Sequence, residues 1–112
     1  MTLMMKNVSK VYKEGDSQVT ALDQVSMNVD AGEFVAIIGP SGSGKSTFLS
    51  IAGALLQPSQ GDVTVGNTDI SKVKDKELSK IRLQEIGFIL QTSNLIPYLN
   101  VMDNLLLVKK MT

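Results

Sequence analysis

The 112 residues contain no cysteine and no histidine. Without cysteine there are no disulfides, no thiolate nucleophile and no cysteine metal site. Without histidine the usual neutral-pH proton shuttle and the commonest metal ligand are missing. An excess charge of one sign is lacking too. Eleven basic residues balance eleven acidic ones, so nothing points to a nucleic acid as partner. Long apolar runs are absent: "FVAII" and "NLLLV" are far too short to span a bilayer. The opening "MTLMMKNVSKVYKEGD" has neither the apolar core nor the cleavage site of a secretory signal. A soluble chain with at most one small domain is expected, and membrane contact only through a partner.

The apolar pattern predicts α/β architecture with an antiparallel portion attached. Leu3 to Tyr12 alternates as an exposed strand, and Gly15 marks a turn. Val25, Met27 and Val29 alternate as a half-buried strand. Phe34 to Ile38 is apolar at every position, which predicts a strand covered on both faces, as in a parallel sheet. Phe48, Leu49, Ile51, Ala52 and Leu55 recur at helical spacing, with Pro58 as the stop and Gly61 opening a turn. "DVTVGNTDI" reads as a short strand with a turn at Gly66-Asn67. Leu78 and Ile81 form the narrow stripe of a polar helix, and Ile86 to Leu90 reads as a second buried strand. Asn100 is placed to cap a last helix that ends on Lys109 and Lys110. Leu105, Leu106 and Leu107 are expected to pack in the core, with contact to a partner as the alternative.

Between the first buried strand and its helix lies "GPSGSGKST", residues Gly39, Pro40, Ser41, Gly42, Ser43, Gly44, Lys45, Ser46 and Thr47. Gly39-x-x-x-x-Gly44-Lys45-Ser46 fits the P-loop pattern. Glycines let successive N–H groups point into one concavity, and the helix start adds its free donors and positive dipole end. Lys45 supplies a point charge for the β- and γ-phosphates, Ser46 a hydroxyl for Mg²⁺, and Thr47 a further hydrogen bond. The plain alternative is a glycine- and serine-rich turn. Four fixed positions of this kind arise by chance in roughly one chain of this length in a few hundred. The loop implies a nucleoside triphosphate and no more, because kinases, GTPases, helicases and transport ATPases all carry one.

"VSKVY", the long stretch from "ALDQVSMNVD" through the loop to "QPSQG", and "IGFILQTSNLIPYLNVMDNLLL" together resemble the ATP-binding subunit of ABC transporters. The resemblance covers nearly the whole chain. Its wording is most similar to the branch with lipoprotein-release and macrolide-export ATPases and a cell-division relative. It implies a P-loop NTPase core with an antiparallel β subdomain, truncated, residues 1–112 being the N-terminal part of the nucleotide-binding domain. Tyr12 matches the aromatic A-loop residue that stacks on adenine, and Gln91 matches the Q-loop glutamine that reaches Mg²⁺ and the attacking water. Read from the residues alone, Tyr12 serves equally as a strand-end tyrosine, and spacing favours Gln91 as a polar strand terminus. Implied cofactors are ATP and Mg²⁺, with Lys45 and Gln91 acting in catalysis. Implied partners are a membrane permease docked near the Q-loop and a second ATPase subunit. The implied location is the cytoplasmic face of the membrane.

Three features depart from the family's habit: Asn100 for Thr or Ser, Asp103 for Glu, and the pair Gly66-Asn67 for Asp-Gly. The family's signature loop, Walker B carboxylates and switch histidine do not occur in these residues. By itself the chain is therefore expected to hydrolyse ATP negligibly, and its uncovered strands to drive oligomerisation or swapping. Other readings are an ABC ATPase in cell division or wall remodelling, and an inactive nucleotide-binding fragment. Another P-loop class is disfavoured by the placement of Tyr12 and Gln91.

Overall fold

The computed structural model describes residues 2–90 and 95–111. Two long strands open the chain, β1 (Leu3–Glu14) and β2 (Ser17–Val29), followed by helix α1 (Lys45–Ala52). Strands β3 (Gln60–Val65) and β4 (Thr68–Asp69) come next, then helices α2 (Asp75–Glu85) and α3 (Val101–Met111). The strands form one antiparallel sheet in the order β2-β1-β3-β4.

Local chemistry explains the sheet. Gly15 takes φ 57 in the tight turn between β1 and β2. Gly66 takes φ 62 as the first residue of the two-residue β3–β4 loop, where a type II′ hairpin wants glycine. The β1–β2 ladder slips at bulges, and Asn7 and Gln24 adopt positive φ there. Their backbone N–H groups donate to Ser26 Oγ at 3.0 Å and Ser9 Oγ at 2.9 Å, so neither donor is stranded.

One face of the sheet carries Met5, Val8, Leu22, Val63 and Val65, all buried. Phe48 and Ile51 of α1 close over it, with Ala54, Ile70 and Leu78 completing the core. Helix α2 contributes Leu78 with Ile81 beside it, the stripe read from sequence.

The first helix ends sooner than Pro58 predicts. Gly53 is its C-cap, Ala54 turns left-handed at φ 59, and Leu55 N–H donates back to Ser50 O at 2.8 Å. This is a Schellman closure with alanine where glycine is usual. Arg82 of α2 fastens it by donating to Ala54 O at 2.6 Å.

Two expectations are corrected outright. Phe34 to Ile38 and Ile86 to Leu90 are not strands. Phe34 is 97% exposed, Ile38 90% and Ile89 96%. A parallel strand needs a neighbour to complete its ladder, and neither run pairs with a described strand. Leu105, Leu106 and Leu107 are exposed rather than in the core. Helix α3 is tied mainly to its own approach: Asn100 Oδ1 caps Asp103 N–H at 2.8 Å, as read from sequence. The nearly buried Asn104 receives Ile96 N–H at 2.8 Å and donates to Asn100 O at 2.9 Å.

Candidate functional site

Helix α1 begins with no side-chain cap and no acidic residue in its first turn. Its first N–H groups therefore lack the usual intramolecular acceptor, and its positive dipole end is uncompensated. Gly44, the residue before it, sits at φ 95. A Cβ there would lie 2.5 Å from Ala21 O of β2. Both the dihedral and the space require glycine, so the loop meets the strand backbone to backbone. Gly42 also has positive φ, at 82, but in open space. Ser43 N–H donates to Pro40 O at 3.2 Å, which folds the loop over itself. The Lys45 ammonium curls back to donate to Gly39 O. An ammonium has three donors, so this contact leaves two for an anion.

The loop and Tyr12 line one cavity of about 480 Å³. Its walls are Tyr12, then Val19, Thr20 and Ala21 of β2, then Ser41, Gly42, Gly44, Lys45, Ser46 and Thr47. That volume lies within the range of small-molecule sites. One cation and several hydroxyls face it, and no carboxylate does. Tyr12 Oη lies 3.5 Å from Thr47 Oγ1, which brings the β1 aromatic to the first turn of α1, 35 residues away.

The structure thus gathers Tyr12 and most of the loop, while Gly39, Pro40 and Ser43 shape the loop without lining the cavity. Gln91 lies outside the described residues. The β2 wall was not legible in sequence, because alternation in a strand does not announce which residues approach a distant loop. For Mg²⁺ the protein offers little by itself: among the described residues no group of three or more His, Cys, Asp or Glu could hold a metal. Ser46 fits an ion that takes most of its oxygens from phosphate and water. No helix among the described residues is long and apolar enough to cross a membrane.

Residues 22–112 match the protein family described as ABC transporter. An uncharacterized ABC transporter ATP-binding protein of Methanocaldococcus jannaschii, MJ0796, is 48% identical over 91% of this chain and 43% of its own length. Its dimeric structure in a post-hydrolysis state bound to ADP and Pi superposes with a TM-score of 0.85, covering 91% of this chain and 44% of that one. The lipoprotein-releasing ATP-binding protein LolD of Colwellia psychrerythraea is 45% identical over 87% of this chain and 38% of its own length. The macrolide export ATP-binding/permease protein MacB of Burkholderia thailandensis is 43% identical over 91% of this chain and 16% of its own length. The chain therefore spans less than half the length of these relatives. Its fold is the α/β fold of an ATP-binding cassette, of which the antiparallel sheet, α1 and one face of α2 form the packed core.

Proposed function

Because this chain belongs to the ABC transporter family, we propose that it binds Mg-ATP as the N-terminal part of a nucleotide-binding domain that powers a membrane permease. The observation that carries this reading is the shared cavity: Tyr12, from one end of the fold, and the glycine loop, from another, face the same space. In this reading the N–H groups at the start of α1 and the Lys45 ammonium receive the polyphosphate. Ser46 turns its hydroxyl toward Mg²⁺, which neutralises phosphate charge when bound. Thr47 adds a hydrogen bond, and the Tyr12 ring takes the adenine face. Gln91 is assigned to the metal and the attacking water, and its neighbourhood to the permease contact. Residues 1–112 would then carry the A-loop, Walker A and Q-loop. Hydrolysis, pairing with a second ATPase subunit and peripheral attachment at the cytoplasmic face of the membrane belong to the longer protein. MJ0796 is dimeric in its solved structure, and MacB is an ATP-binding and permease protein in one, which supports both partnerships.

Equilibrium titration with Mg-ATP tests the reading. Lys45→Ala removes charge-assisted hydrogen bonds of about 1.5–3 kcal/mol, so affinity should fall roughly ten- to a hundredfold. Equal affinities for the two proteins would sink it.

A further inference from the structure

Lys10 and Tyr12 stand two apart on β1, so their side chains leave the same face of the strand. The Lys10 ammonium lies 5.4 Å from the centroid of the Tyr12 ring, within cation–π range. It is held there. Nζ donates to Gln57 O at 3.1 Å, and the Gln57 side-chain amide donates in turn to Val73 O. The ring is steadied at its tip as well, beside Thr47. Tyr12 lines the cavity at the glycine loop, whereas Lys10 does not. Lys10 therefore meets the ring without lining that cavity.

We propose that Lys10 is a positioning residue for base recognition: it fixes the Tyr12 ring at the edge of the cavity, where the ring meets the base. This rests on Tyr12 being the base platform of the proposed ATP site. A ring already held in place spares part of the ordering cost of binding. Gln57, on the loop after α1, becomes part of the same device because its carbonyl sets where the ammonium sits.

The test compares two probes, Mg-ATP and inorganic tripolyphosphate with Mg²⁺, on the full-length protein. Four proteins are needed: wild type, Lys10→Met, Lys10→Arg and Tyr12→Ala. Lys10→Met keeps the apolar stem and removes the cation. It should weaken ATP roughly two- to fivefold, in line with an exposed cation–π pair, and leave tripolyphosphate unchanged. Lys10→Arg should restore ATP affinity. Tyr12→Ala should weaken ATP further, and adding Lys10→Met to it should cost nothing more. Loss of ATP affinity in Tyr12→Ala with none in Lys10→Met would overturn the proposal and leave the ATP site standing. Equal weakening of both probes by Lys10→Met would overturn it too, as that marks a general charge or folding effect. Indifference of ATP to Tyr12→Ala would remove the platform itself, and this proposal with it.

Discussion

The antiparallel sheet and the two apolar runs at 34–38 and 86–90 are written in the same residue vocabulary, yet only the sheet is built. In the sheet, every long strand has an antiparallel neighbour, and Met5, Val8, Val63 and Val65 are sealed beneath α1. The two runs are more uniformly apolar, yet Phe34, Ile38 and Ile89 stand almost fully exposed. Apolar side chains reward burial, but a strand is a hydrogen-bonded object and needs a second backbone alongside. Composition proposes the element and pairing makes it.

The sharpest way to break this contrast is a matched pair of truncations on this chain, read by urea unfolding. Ile51→Ala, at a fully buried position, should cost about 2–5 kcal/mol. Ile38→Ala should stay within about 0.5 kcal/mol, as for a surface change. A large cost at Ile38 would mean the run is covered in solution and the contrast false.

The glycine loop joins the two regions, and its glycines should differ from each other. Gly44→Ala meets both positive φ and the Ala21 carbonyl. Gly42→Ala meets only the dihedral cost, of about 1–3 kcal/mol. Mg-ATP titration should show Gly44→Ala losing more affinity than Gly42→Ala, by about tenfold or more if a further 1.4 kcal/mol is involved.

Helix α3 belongs with the sparsely packed region, so its cap should matter locally. Asn100→Ala removes the bond to Asp103 N–H and should cost about 1 kcal/mol of helix stability. Hydrogen exchange should rise in residues 101–111 and stay unchanged in β1 and β3.

The smallest effect is in the sheet, at the end of β4. Hydrogen bonds from the Ser71 hydroxyl, and then from its backbone N–H, hold the Asp69 carboxyl below its ordinary value of 3.8. Slight burial opposes them, and Lys72 assists. A depressed carboxyl stabilises the fold above its unfolded pKa, and this contribution fades as pH falls through the folded value. Ser71→Ala should therefore slightly lower stability near neutrality and make its decline with acid less steep, the two proteins converging at low pH. Acid-limb unfolding curves that coincide would refute the link.

Much of this was legible in the residues. Alternation gave β1 and β2, Gly15 gave the turn between them and Gly66 that between β3 and β4, Leu78 and Ile81 gave the inner face of α2, and Asn100 gave a cap. The glycine loop announced itself because its chemistry is local and its spacing rigid. What failed depended on distant partners. Nothing in "FVAII" or "GFIL" says whether an edge will be available. Nothing near Ala54 warns that an alanine will take the left-handed place that usually selects glycine, since the bond to Arg82 comes from 28 residues away. Leu105 to Leu107 are apolar enough for a core, but no described element covers them. Nothing in the sequence around Lys10 says that Gln57 and Tyr12 stand beside it.

The contact of Gly44 with Ala21 joins two parts of the molecule into a single jaw. With no side chain between them, the loop cannot slide along β2 without prising apart two main chains. Floor and side wall of the pocket must then shift together.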